Sequence, residues 1–139
     1  MDWHAWAAGF IDGEGCITFG HQKKSGQTYL VVSASQSFQQ PLLKLKELFG
    51  GTIEEVNRKA VHRHFLWRVC SERAITVLKL VRPYLLVKND QADLGMEYWM
   101  KCSHPQGYNK PLTVAERENR AEFVGKMRIL NHRQEKKVS

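Results

Sequence analysis

No apolar run in this 139-residue chain is long enough to span a bilayer, which sets aside a helical membrane protein. The opening Met1-Asp-Trp-His-Ala-Trp6 contains no Lys or Arg ahead of an apolar stretch, so it does not read as a secretory leader. Cysteine is scarce. Cys16, Cys70 and Cys102 are widely spaced and odd in number, which argues against a disulfide framework and for a reducing, intracellular compartment. A dense basic tract of the kind that marks a disordered arm is missing, as is any internal repeat. His62-Arg-His64 has no cysteine or acid at the spacing a zinc site needs.

What is present is a single domain's worth of sequence. Hydrophobic residues make up 42% of it, enough for a real core. Lys and Arg number 21 against 14 Asp and Glu, giving a net charge of +7 that is spread along the chain. Such a surface suits a polyanionic partner, nucleic acid before anionic membrane.

The stretch Trp6-Ala-Ala-Gly-Phe-Ile-Asp-Gly-Glu-Gly15 reads as a helix ending abruptly. Ala5, Gly9 and Gly13 recur at every fourth position and share one stripe. Each helical glycine costs about 1 kcal/mol against alanine, so two on one face need a reason. Close approach of a second helix supplies one. Trp3, Trp6 and Phe10 form a bulkier stripe suited to the core. Asp12 and Glu14 stand in the last turn, where the helix dipole disfavours anions, so a cation is expected nearby. On spacing alone, the same residues also fit a glycine cap followed by a solvated turn.

Asp2 is the expected cap of a helix from about Trp3 to Gly13. Cys16–Gln22 and Gln27–Ser37 alternate as two hairpin strands, with Ile17, Phe19, Leu30, Val32 and Ala34 inward. Pro41 opens a helix to Phe49, stopped by Gly50-Gly51. Strands follow at 52–58 and 62–70, then a helix through Ile75, Leu78 and Val81, and another over about Asp90–Met100. Thr113-x-x-Glu116 is a capping-box pattern opening a polar helix to about Asn131. That helix could pack on the domain, touch a nucleic acid or bind a partner. Cys16 and the four tryptophans, Trp3, Trp6, Trp67 and Trp99, are expected in the core. The class is α+β, an αββαββα core over residues 1–103. Residues 104–139 are a loop and C-terminal helical extension of the same domain.

Four antiparallel strands covered by helices on one face leave a polar face open. Thr18, Gln22, Gln27, Tyr29, Ser33, Arg58, His64 and Arg68 are the candidates for reading bases there. Lys23, Lys24, Lys59 and Arg63 suit phosphates, which fix register without reading sequence. The two histidines of His62-Arg-His64 share one strand face and suit DNA contact.

Ala7-Ala-Gly-Phe-Ile-Asp-Gly-Glu-Gly15 resembles the defining motif of the LAGLIDADG homing endonucleases, and the element order over roughly residues 3–100 resembles that family's core. The resemblance implies a site-specific nuclease, intron-encoded in type, that hydrolyses both strands of a long pseudo-palindromic DNA target and leaves staggered 3′ overhangs. It implies Glu14 as metal ligand, where the family more often has Asp, joined by the backbone carbonyl of Gly13. Asp12 would be structural, holding the helix end and the strand start. Gln36 would position water and metal, and Lys88 would stand at the edge of the active site. Mg²⁺ is the implied cofactor, with Mn²⁺ substituting and Ca²⁺ supporting binding without cleavage. One motif implies a homodimer, with Ala5, Ala8, Gly9 and Gly13 at the interface and a doubled charge, twice +7 or +14. The implied setting is a bacterial or phage-infected cytoplasm or an organelle. A similar fold also serves DNA-binding regulators that do not cut, against which Glu14, Gln36 and Lys88 argue. It serves intron maturases too, which leaves an additional RNA role open.

Overall fold

The computed structural model describes residues 1–22, 27–56, 63–102 and 112–138. Helix α1 (Trp3–Glu14) starts at Asp2, whose carboxylate accepts the N–H groups of His4 and Ala5 at 3.1 and 3.2 Å. It ends where the Gly15 N–H closes on the Ile11 carbonyl, and the chain passes straight into β1 (Gly15–His21). A Cβ at position 15 would fall 2.8 Å from the Ile11 backbone, so no side chain fits that corner.

Strand β2 (Thr28–Gln36) pairs antiparallel with β1, and Gln22 N–H donates to the Gln27 carbonyl at 2.8 Å to close the hairpin. Helix α2 (Gln39–Phe49) begins ahead of Pro41, which sits inside its first turn. Gly50 and Gly51 then turn the chain at φ +76° and +93°, values open to glycine. Strands β3 (Thr52–Val56) and β4 (His64–Cys70) pair next, followed by α3 (Ser71–Val81) and a 3₁₀ turn (Arg82–Tyr84). Helix α4 (Asn89–Lys101) and helix α5 (Val114–Val138) complete the order. The Glu116 N–H donates to Thr113 Oγ1 at 3.2 Å, the cap expected from the sequence. Helix α5 runs past Asn131 to Val138. Among the described residues no helix is long and apolar enough to cross a membrane.

The sheet is antiparallel throughout, in the order β1-β2-β4-β3. The α+β expectation therefore holds. Its inward side chains, Ile17, Leu30, Val32, Ala34, Trp67 and Val69, are buried against the helices. Burial of each large apolar side chain contributes about 1.5–3 kcal/mol. Trp67 also donates its indole N–H to the Gly50 carbonyl at 2.9 Å, which ties the α2–β3 turn to the core.

Two packing expectations need correction. The core face of α1 is Ala7, Ala8 and Ile11, all fully buried, not the aromatic stripe. Trp3 is 38% exposed, edge-on to Trp6 with the Lys44 ammonium 4.0 Å from its ring centroid. Trp6 and Trp99 pack only partly against the core. Cys16 is exposed because strand alternation puts Ile17, its neighbour, inward.

Candidate active site and nucleic-acid interface

The end of α1 is bound to a segment more than seventy residues away. Asp12 Oδ2 accepts the N–H of Leu86 at 2.8 Å, and Oδ1 accepts those of Val87 and Lys88 at 3.2 and 3.0 Å. The Lys88 ammonium returns to donate to the Asp12 backbone carbonyl at 3.0 Å. This is the cation that a helix ending in two acids called for. Asp12 thus holds the segment before α4 rather than the strand start, which corrects that part of its expected role. The segment is braced on its other side, where Asn89 donates to the Leu85 carbonyl at 2.7 Å. Arg82 forks onto Asp93 at 2.6 and 3.0 Å and holds its carboxyl below the usual carboxylate range.

Glu14, two residues beyond Asp12, is exposed at the helix terminus. Gly15 pairs with Ala34 across β1 and β2, so Gln36 at the end of β2 lies past that pair, on the side from which α1 enters. Gln36 Oε1 accepts the Ser37 N–H at 2.8 Å. Gly13 is exposed in the same last turn. The turn therefore offers one open carboxylate, a backbone carbonyl and a pinned ammonium.

This donor set, a carboxylate and a backbone carbonyl, is of the type that suits hard divalent cations. No group of three His, Cys, Asp or Glu able to hold an ion occurs among the described residues. Zinc would want such a group. Mg²⁺ is ordinarily held by one or two carboxylates, with waters and substrate phosphates filling its remaining positions. Asp12 is already occupied by three N–H donors, which leaves Glu14 as the available acid.

Along α1, Gly9 and Gly13 are exposed, and a Cβ built on either meets nothing within 4 Å. Ala5 is half-buried beside them. Ala8 faces the other way, fully buried in the chain's own core, so it has no surface for a partner. Leu86 and Val87, 87% and 54% exposed, are held by Asp12 next to Gly13. The sequence reading missed them. Their signal was an apolar Leu85-Leu-Val87 run outside any helical period.

The outer face of the sheet carries Thr18, Tyr29, Ser33, His64 and Arg68, in the registers Cys16↔Ser33, Gly20↔Tyr29 and Ser33↔Arg68. Gln22 and Gln27 close the hairpin base. Hydrogen bonding to Cys70 and then to Tyr29 raises the Arg68 pKa above its ordinary value. Arg63 is taken by Glu55 at 3.4 Å. Lys23, Lys24, Arg58 and Lys59 lie outside the described residues.

Helix α5 packs on the domain through Phe123, Val124 and Met127. It also grips both hairpin strands. Asn131 donates to the Ile17 carbonyl at 3.1 Å, and the buried Arg120 donates to the Thr28 carbonyl at 3.0 Å and to Tyr98 Oη at 3.1 Å.

A helix ending in an exposed acid leads directly into an antiparallel four-stranded sheet whose outer face carries Thr18, Tyr29, Ser33, His64 and Arg68. Residues 7–96 match the family model of the LAGLIDADG endonucleases, and the chain belongs to that family. No match was found among curated proteins. The fold is similar to that of the homing endonuclease I-CvuI in complex with the uncleaved I-CreI target in the presence of Mg. The TM-score is 0.63 at 21% identity, over 90% of this chain and 94% of that one. It is similar to the archaeal intron-encoded I-Vdi141I in complex with DNA, at TM-score 0.56 and 18% identity, over 91% and 97%. The meganuclease I-SmaMI bound to uncleaveable DNA gives 0.61 and 19%, over 94% of this chain but 43% of that one. At these identities the likeness is one of fold.

Proposed function

We propose that this chain works as a homodimer that binds a long, nearly palindromic DNA site and hydrolyses both strands with Mg²⁺, leaving staggered 3′ ends. The observation that carries the reading is the end of α1: its last turn holds an exposed Glu14 and, bonded to the Asp12 carbonyl, the Lys88 ammonium. Glu14, with the Gly13 carbonyl, would hold the divalent cation. Bound there, Mg²⁺ supplies an acidified water and neutralises phosphate charge; Mn²⁺ does the same. Lys88 offsets charge that builds on the transferring phosphate. Gln36 orients water.

A single open carboxylate per chain is a poor metal site by itself. Two copies crossing along Ala5, Gly9 and Gly13 bring two such acids together, and the empty space over both glycines suits that crossing. Leu86 and Val87, apolar and exposed, are bonded to Asp12 in the last turn of the same helix. Relatives solved on DNA with Mg and with Ca add support for a divalent-metal nuclease.

Incubation with a DNA library tests this. Cutting is expected with Mg²⁺, and binding without cutting with Ca²⁺. Glu14→Gln should bind as tightly as the wild type and lose cleavage by about a thousandfold, several kcal/mol of transition-state stabilisation. Normal cutting by that variant would remove Glu14 from the site. Binding with no cutting by the wild type in Mg²⁺ or Mn²⁺ would make the protein a regulator.

A further inference from the structure

On the outer sheet face, three adjacent strands contribute to one pre-arranged group. Gly20 of β1 stands opposite Tyr29 of β2. A Cβ at Gly20 would fall 2.4 Å from Tyr29 Cζ and 2.6 Å from its Oη, so the ring lies across the glycine. Arg68 of β4 reaches over and donates through Nη2 to Tyr29 Oη at 3.2 Å. A glycine near the end of β1 is otherwise unexplained, since it weakens a strand and packs nothing. Its purpose is room for the ring.

The pair's chemistry is one-sided. Tyr29 Oη accepts from Arg68 and keeps its own proton to give away. A guanidinium has five N–H donors and no acceptor, and Tyr29 and Cys70 engage only part of them. What the pair offers outward is mainly donors: the free guanidinium N–H groups and the phenol proton. Of the four base edges in the major groove, guanine alone presents two adjacent acceptors, O6 and N7, with no donor or methyl beside them.

We propose that Tyr29 and Arg68 read a guanine at one position in each half of the target, and that Gly20 is the seat that aims them. The inference rests on the proposed binding of DNA across this face, and it adds the base that is read. Adenine and cytosine each place an amino donor, and thymine a methyl group, where guanine places its second acceptor, so all three are disfavoured against guanine.

The test uses the full chain in Ca²⁺ and a randomised double-stranded DNA library. A preferred site is selected with the wild type, and every single-base change in that site is then measured by competition for wild type, Arg68→Met, Tyr29→Phe and Gly20→Ala. The wild type should require guanine at one position per half-site, other bases costing about ten- to a hundredfold in affinity. Arg68→Met should level that position and leave the others selective, which also reports that the variant is folded. Gly20→Ala displaces the far end of a flexible ring, not backbone, so it should flatten the same position partly. Tyr29→Phe should do so more weakly. An unchanged guanine preference in Arg68→Met, or a base other than guanine at the position it levels, overturns the inference while leaving DNA binding intact. A wild type that selects no sequence overturns both.

Discussion

Lys88 and Asp12 hold each other twice: the lysine's backbone N–H donates to the aspartate carboxylate, and its ammonium donates to the aspartate's own carbonyl, both at 3.0 Å. The carboxylate that fixes the loop therefore also fixes the cation at the helix end. Asp12→Ala removes the acceptor of three N–H groups and frees Lys88 to move. The expected cost is about 2 kcal/mol of stability, since hydrogen bonds to a charged acceptor are the stronger kind. Cleavage should fall about a hundredfold at temperatures where the variant is fully folded, because a misplaced group near the reacting atoms loses about that much. Binding in Ca²⁺ should hold. Thermal unfolding and single-turnover cleavage together check this. A lower melting point with an unchanged rate would make Asp12 a fastener and nothing more.

The two small residues in sequence at the middle of α1 should respond oppositely to the same enlargement. Gly9 is exposed with no atom within 4 Å of a built Cβ, whereas Ala8 is fully buried. Gly9→Leu should leave the chain's own fold intact, and even stabilise the helix by about 0.8 kcal/mol. Placed against a facing backbone, however, the leucine should push two copies apart. Ala8→Leu instead overpacks the core, at about 1–3 kcal/mol. Sedimentation should give a dimer mass for the wild type and one chain's mass for Gly9→Leu. A Gly9→Leu variant that sediments as a dimer places the interface elsewhere.

How far the sequence could be read follows from the range of each interaction. Asp2 capping α1, the inward alternation of buried Ile17 and partly buried Phe19, and Thr113 capping α5 are local patterns, and all three appear as expected. Two carboxylates at a helix end marked the end of α1 as anomalous, but the choice of Glu14 over Asp12 came only from the resemblance to the LAGLIDADG motif. The partner of Asp12 was not legible, since the loop it holds is remote in sequence. Trp3 misled because a large aromatic suggests burial, while α1 turns its small Ala7 and Ala8 to the sheet, where only close packing fits. Arg120 was invisible. In a helix rich in charge, nothing in the sequence marks one arginine as the buried one.

That arginine gives α5 its hold on the β1–β2 hairpin. Nη1 of Arg120 donates to the Thr28 carbonyl, and lies 3.3 Å from Thr28 Oγ1 and 3.1 Å from Tyr98 Oη. Arg120→Met keeps most of the side chain's bulk and removes the donors. The loss should be about 2 kcal/mol, or about 4–8 °C in melting temperature for a chain of this length. Lysine at the same position, a point charge without the planar fork, should rescue little of it. Rescue by lysine to the wild-type melting point would show that charge alone, not the fork, matters here.

Tyr98 makes the protein sensitive to alkali. Burial raises its pKa above 10.0, outweighing the lowering by its Thr28 hydrogen bond and by the nearby Arg120 charge. The folded state thus keeps the proton after the unfolded chain has lost it. The stability this group contributes is complete below about pH 10 and disappears as pH rises through the raised folded value. Cys102, also raised by burial, acts in the same direction from about pH 9. Tyr98→Phe is less stable at neutral pH, because it loses the bonds to Thr28. Its stability should nevertheless decline less between about pH 10 and 11 than that of the wild type. Urea midpoints across that range, with Cys102→Ala as background in both proteins, isolate the tyrosine. Parallel declines would show that the phenol ionises no later in the folded chain than in the unfolded one.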